Sequence, residues 1–348
     1  MAISGPLKSS RPPEAHLTAA RMARVLGAMS VALLAVLVVA TARGAVRIDL
    51  ARALRDSTCP DHAILMTVRL PRVLMGALVG AVLATTGAAL QALVRNPLAE
   101  GGTLGVSAAA AFGAIMALVF GYRLGLGGTV APGAGFVLAL LSTLLVYRLG
   151  QVRGHLEPLS LLLVGVIFNT FWSALILLVD NLVDLYQTRG ILAWLVGSLE
   201  APSYAQIGLV GLPAAAGFAW LYWHARDLNL LALSEDSARD LGVDVEGLRR
   251  GIFVSTSVMI GAAVSVSGMI GFVGLIVPHL IRLRWGPDHR LLLPAAMLSG
   301  AGFLVLADLI ARLAIAPAEL PVGVITALCG APFFIYLLRR EGARGLAL

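Results

Sequence analysis

Charged side chains are scarce in this 348-residue chain: Asp, Glu, Lys and Arg make up 13% of it, against about 25% in ordinary soluble proteins. With 59% hydrophobic residues and a mean hydropathy of +0.90, that scarcity excludes a soluble protein and indicates an integral membrane protein. Lysine is nearly missing. Lys8 is the only one, and its setting, Gly-Pro-Leu-Lys-Ser-Ser, lacks the spacing of a phosphate-cradling G-x-x-x-x-G-K-[ST] loop. If ATP drives this chain, another chain binds the nucleotide. The two cysteines, Cys59 and Cys329, lie far apart and form no C-x-x-C, so neither a disulfide framework nor a metal site is indicated. The formal charge of +7 comes from arginines scattered between apolar runs, which excludes a nucleic-acid-binding face.

What is present is a series of apolar runs. Those near the roughly 20 residues needed to cross a bilayer lie at 25–42, 73–94, 104–121, 129–149, 159–179, 206–223, 252–269, 291–313 and 320–338. A tenth, 270–283, is too short to cross unless neighbouring helices protect it. The expected fold is an all-α membrane protein of about ten transmembrane helices, one short. The first run ends in Ala40-Thr41-Ala42, like a signal-peptide cleavage site, but its long basic leader and span-length core favour a retained helix. A linker with the Cys59-Pro60 turn occupies 43–68, and 191–199, short and tryptophan-bearing, reads as interfacial. Ten crossings put both termini on one side, and 17 of the 26 basic residues fall on that side, so the termini are expected in the cytoplasm. This divides the chain into a tail (1–24), a ten-helix domain (25–338) and a second tail (339–348). A faint repeat pairs Arg69, Gly80, Gly87, Pro97 and Gly105 with Arg250, Gly261, Gly268, Pro278 and Gly286. Its offset of five spans would give the two copies opposite directions.

One long polar interruption, 225–250, mixes six acids with four arginines. Ser234 is suited to cap a short helix, Glu235 and Asp236 to occupy its first turn, and Gly242 to close it after Arg239. Leu233, Ala238 and Leu241 are expected to share its apolar side. Two readings fit: a solvated loop between spans, or a docking element for a soluble partner.

Two further stretches stand out. In 85–107, Pro97 must break the helix, Arg95 and Asn96 can bind the freed carbonyls, and Glu100 precedes the next helix where an acid suits the dipole. In 268–290, close-spaced glycines allow tight helix contact, and Pro278-His279 kinks or starts a short helix, with His279 read as a structural residue.

These residues carry a resemblance. Arg69-Leu-Pro-Arg72, Arg95-Asn-Pro-Leu-Ala-Glu100, Trp194-Leu-Val-Gly-Ser198, Ala238-Arg-Asp-Leu-Gly242, Gly271 to Leu280, Asp288-His-Arg290 and Glu319-Leu-Pro-Val-Gly323 follow in order over about 65–338. Together they resemble the membrane permease of type II ABC importers for ferric siderophores, haem and cobalamin. The resemblance implies a homodimer in the bacterial cytoplasmic membrane, two ATPase subunits that bind ATP and Mg, and an external binding protein. No cofactor is expected on this chain itself. It makes Leu233–Gly242 the coupling element for the ATPase, despite Ser234 where glycine is usual. Gly101, where proline is usual, is expected to loosen its turn. It assigns Arg69, Arg72 and Arg312 to docking acids of the binding protein, although Arg312 is also placed for a helical pair with Asp308. It puts a cytoplasmic gate near Glu157 and Pro158. Ferric siderophore, the widest class, is the first expectation for cargo.

Two rivals are weaker. An ion-coupled carrier needs ionisable groups at mid-membrane, where Gln91 and Asn169 are uncharged. An intramembrane enzyme would have only Asp180 and Asp184 to hold a metal-bound diphosphate, and haem ligation by Cys59 or His62 would matter only for haem cargo.

Overall fold

The computed structural model describes residues 17–123, 130–199 and 202–342. Tail residues 1–16 and 343–348, with Lys8, Arg11 and Arg344, lie outside them. In chain order the helices are α1 (Ala19–Ala42), α2 (Leu50–Arg55), α3 (Pro60–Ala63), α4 (Leu70–Leu93), α5 (Val106–Arg123) and α6 (Ala131–Leu149). After them come α7 (Pro158–Asp180), α8 (Leu185–Val196), α9 (Tyr204–Trp223), α10 (Ala225–Leu233) and α11 (Glu235–Asp240). The last four are α12 (Val245–Ser267), α13 (Val273–Trp285), α14 (His289–Leu313) and α15 (Val322–Gly342).

Among the described residues seven helices are long and apolar enough to cross a membrane, and Val106–Gly121 and Val322–Tyr336 are shorter apolar ones. With α13 these make the ten expected. At 1.5 Å per residue α13 is only about 20 Å long, and it is flanked by α4, α14 and α15. The linker differs from expectation. It holds α2 and α3, and a π-helical turn at Ile64–Arg69 fuses α3 to α4 into one 34-residue helix, Pro60–Leu93. Both tails are shortened too: α1 takes in Arg21 and Arg24, and α15 continues to Gly342. The sequence repeat carries over only partly. Gly105 and Gly286 both have positive φ, but Pro97 sits in a turn and Pro278 inside α13.

The core is built around α4, whose inward residues are almost all buried. Lipid tails are as apolar as leucine, so nothing like the hydrophobic effect in water holds helices together here; close packing must. Glycine supplies it. A Cβ on Gly80 would overlap the Gly300 carbonyl of α14, and one on Gly87 would overlap the Gly274 carbonyl of α13. On the far side, Gly113 and Gly135 bring α5 and α6 together, and Gly261 lets α12 rest on Ala139. By contrast α1 is peripheral, with Val31, Leu34 and Val38 exposed to the bilayer.

Replacing Gly80 by valine should therefore destabilise the bundle by about 1–3 kcal/mol or more through overpacking. Gly27→Val, on α1 with no atom within 4 Å of the new Cβ, should be neutral. Thermal unfolding of the two purified variants checks the contrast, and equal midpoints would remove the seam.

Candidate functional site

The polar segment folds into two short helices meeting at Ser234. Its extended backbone (φ −162°) ends α10, and its hydroxyl accepts from the Ser237 N–H at 3.0 Å, capping α11. Glu235 and Asp236 occupy the first turn, and Gly242 (φ +82°) turns the chain out, its N–H donating to Arg239 O. One expectation is corrected. Ala238 is fully buried in the bundle, whereas Leu233 and Leu241 are 77% and 67% exposed, so the three do not share a side. A six-residue helix is too short to hold itself together. Ala238 anchors it, and the two leucines are left facing outward.

Arg249 fixes its position. This α12 residue is 3% exposed, yet it forks onto both Glu235 oxygens (2.6 and 3.3 Å) and donates to Leu156 O at 3.1 Å. Glu246, one turn earlier, accepts from Leu156 N–H at 3.2 Å. Leu156 closes a two-stranded hairpin, β1 (Gln151–Val152) and β2 (His155–Leu156), whose turn uses positive φ at Arg153 and Gly154. Glu157 and Pro158 follow at once as N-cap and first residue of α7. One guanidinium thus joins α11, α12 and the entry to α7. The sequence reading passed over Arg249; the acid–arginine pair Glu246 and Arg249, three apart, was the available signal.

On the other side, Asn229 of α10 donates to Asp288 at 2.9 Å and accepts from His289 N–H at 2.8 Å. Burial pushes the Asp288 carboxyl up, but hydrogen bonds from Arg290 and Asn229 outweigh it and hold the group at about 2. The α10–α11 unit is therefore braced against both α12 and α14.

Arg69, Arg72 and Arg312 do come together at the opposite end, but as a buried network. Arg72 pairs with Asp308 (2.9 Å) and Glu319 (2.6 Å), and Arg312 pairs with Asp308 four residues away (2.9 Å). Arg69 donates to the Thr41, Ala42 and Val46 carbonyls after α1. At 5%, 7% and 3% exposure they bind their own chain, with Arg312 in the helical pair with Asp308 that its spacing allowed.

The motif turns are also re-sorted. The α4 terminus closes through Asn96 N–H to Gln91 O with Arg95 in left-handed backbone (φ 49°), while the Asn96 side chain accepts from Leu98 N–H and the Arg95 side chain is exposed. The freed carbonyls are thus not met by those two side chains. Glu100 turns to α13, not to the helix after it: burial pushes its carboxyl up to about 7, opposed by the Phe272 N–H it accepts. Pro97 lies in this turn, which presses on α7 where Gly165 and Gly105 let backbones touch. Gly101 is buried against Ile260, so the turn is not slack there. Pro278 is buried inside α13 with His279 beside it.

Beyond α7, Asp184 caps α8 by accepting from Gln187 N–H, and Cys59 caps α3 while His62 Nδ1 lies 2.8 Å from Ala53 O. These residues hold turns. Among the described residues no cluster of three metal-ligating side chains occurs. Segment 191–199 belongs mostly to α8, which is tied to the end of α12 by Ser198 N–H to Ser267 O and Met269 N–H to Trp194 O. Between α5, α8, α9 and α12 lies a cavity of about 780 Å³, lined in part by Asp184, Gln187, Arg189, Trp194, Gln206 and Ser267.

Breaking the fork of Arg249 should cost about 2 kcal/mol, below the usual figure for a buried pair because Glu235 is partly exposed. In a double-mutant cycle of Glu235→Gln and Arg249→Gln, followed by thermal unfolding, the two losses should overlap by about that amount. Additive losses would show that the residues act independently.

The model of the FecCD transport family matches residues 28–340. The vitamin B12 import system permease protein BtuC of Klebsiella pneumoniae is 40% identical over 336 residues, 95% of this chain and 98% of that one. The cobalamin import system permease protein BtuC of Halobacterium salinarum is 44% identical over 287 residues, covering 82% and 76%. The ABC transporter permease protein YvrB of Bacillus subtilis is 43% identical over 292 residues, covering 82% and 81%. Among solved structures, a metal-chelate type ABC transporter in an inward-facing conformation matches with TM-score 0.79 and 31% identity, covering 91% and 99%.

Proposed function

This chain belongs to the FecCD transport family, and from that premise we propose that it is the permease subunit of an ATP-driven importer. Two copies form the path, two ATPase subunits on the cytoplasmic side drive it, and an external binding protein delivers the cargo. The observation that carries this reading is the α10–α11 surface. It leaves two large leucines exposed at a polar end of the bundle, where a soluble partner gains by covering them. Behind that surface, Arg249 links α11 to the residue preceding Glu157 and Pro158. A displacement of α11 by the motor is therefore delivered at the foot of α7, the helix lining the path in this reading.

The exposed stripe of α7 (Leu159, Leu163, Val166, Ile167) is the surface we assign to the second copy. The cavity beside α8 lies at the outer end of the bundle and is of the size that takes a drug-sized molecule, roughly 300–1,000 Å³. We read it as one subunit's share of the entry to the path. The excess of arginine on the α10–α11 side supports an orientation with both termini in the cytoplasm, and the permease relatives support a bacterial cytoplasmic membrane. The cargo class is a metal chelate. The named relatives weigh toward cobalamin over ferric siderophore, the first expectation only because its class is the widest, with haem behind. For Arg69, Arg72 and Arg312 the internal network takes precedence; we assign them to shaping the outer surface that meets the binding protein.

The carrier reading could use the Arg72–Asp308–Arg312–Glu319 network. Its charges are matched at a helix end, a poor proton or sodium site. The functional test is Leu233→Asp combined with Leu241→Asp. Both positions are exposed, so the permease should purify normally while ATPase co-purification falls at least about tenfold, each buried leucine being worth about 1.5–3 kcal/mol. Uptake into vesicles of cobalamin-loaded binding protein should fall with it. Undiminished assembly, or uptake driven by an ion gradient with no ATPase, would overturn the proposal.

A further inference from the structure

We propose that α13 is a second transmission element: Asn229 sets its last turn, Gln91 splints its middle, and Phe272 passes its position to α15. The inference rests on the reading of α10–α11 as the surface that takes the motor, and it makes these three side chains positioning residues. Only Gly286, Pro287 and Asp288 separate α13 from α14, and Asn229 of α10 grips that link. Its amide nitrogen donates to Asp288 Oδ1 at 2.9 Å, so its oxygen is the acceptor for the His289 N–H and for the ring Nδ1–H, each at 2.8 Å. His289 is 3% exposed, and Gly286 (φ +101°) closes α13 with its N–H on Arg282 O. The bonds from Asn229 thus land three and four residues after Trp285, the last of α13.

Left to itself, the middle of α13 would be its weak point. Pro278 has no N–H, so the Gly274 carbonyl one turn earlier loses its helical partner. Gln91 of α4 supplies another. Its amide nitrogen donates to Gly274 O at 3.0 Å, and its oxygen accepts from Arg282 Nη2, one turn after the proline. A single side chain, 4% exposed, bridges the two sides of the break. Prolines are where helices kink; with this splint, a displacement at Trp285 reaches Gly274 instead of being absorbed between them.

The first turn of α13 is held under strain. Phe272 has left-handed backbone (φ +69°), an outlier for a bulky residue. Glu100 accepts its N–H, and its ring lies against Gly330 of α15, where an added Cβ would overlap it. Strained backbone persists only where its surroundings over-determine it, and it clusters at switch regions. Here those surroundings are the turn after α4 and the face of α15. The line from α10 through α13 to α15 shares no residue with the one from Arg249 to α7.

The test is hydrogen–deuterium exchange of the full chain in detergent. No ATPase is present, so the outcome does not depend on the motor reading. The reporters are peptides 268–275, which contains the Phe272 N–H, and 327–334 around Gly330. Asn229→Ala should speed exchange in both about tenfold, as for the loss of hydrogen bonds to a charged group. The Asn229 side chain itself bonds only Asp288 and His289. Gln91→Leu should have the same effect, and the two changes together should do no more than the larger one alone. Glu235→Gln, which weakens the hold of Arg249 on α11 and leaves Asn229 in place, should leave both reporters unchanged, and α5 should exchange alike in every variant. Unchanged reporters in Asn229→Ala, an equal rise in Glu235→Gln, a multiplied rise in the double variant, or a rise spread through α5 would each overturn the assignment.

Discussion

The structure depends on how closely α4 can approach α13 and α14. In water, two apolar helices are driven together; in lipid they gain only what their surfaces gain by fitting better than hydrocarbon chains do. Gly80 against Gly300 and Gly87 against Gly274 bring backbone to backbone, so dispersion contacts and weak C–H···O contacts act along the whole seam. With α4 fixed, α13 can stay short. Near its start the Gln91 amide donates to Gly274 O, a carbonyl that Pro278 cannot serve, and Glu100 accepts from the Phe272 N–H, so both groups are met inside protein.

The ion pairs described here lie at the two ends of the bundle, and they differ between them. At one end, two acids and two arginines form a closed network that ties α4 to α14 and to the turn before α15, while Arg69 binds the carbonyls after α1. Buried ions of this kind are costly unless mutually satisfied, and here they serve as a fastening. At the other end the ion pairs brace the short helices α10 and α11. Arg249 holds Glu235 of α11 and the carbonyl of Leu156 together, and Asn229 ties α10 to the head of α14. A short helix of this kind is positioned by the side chains that brace it, and here one of them, Arg249, also holds the residue before α7.

The periphery follows a third logic. Helix α1 packs on α14 along one narrow side and leaves the rest to the bilayer, so its sequence is free to serve the lipid.

The sequence alone determined the class and the number of crossings, because a hydrocarbon slab demands long uncharged runs whatever the packing. It also determined the α11 helix to within a residue, since Ser234, the acids after it and Gly242 are local signals that act over one or two turns. Motif order was enough to identify the family. What the sequence could not decide was where side chains end up once helices meet. Ala238 pairs with Leu233 and Leu241 by spacing, yet it is buried in the core cluster and they are exposed, because tertiary packing covers only its side of α11. Arg72 and Asp308 are 236 positions apart, and Arg249 and Leu156 are 93 apart. Pairings over such distances are set by tertiary packing alone, as is the difference between an arginine that waits for a partner and one that already has it.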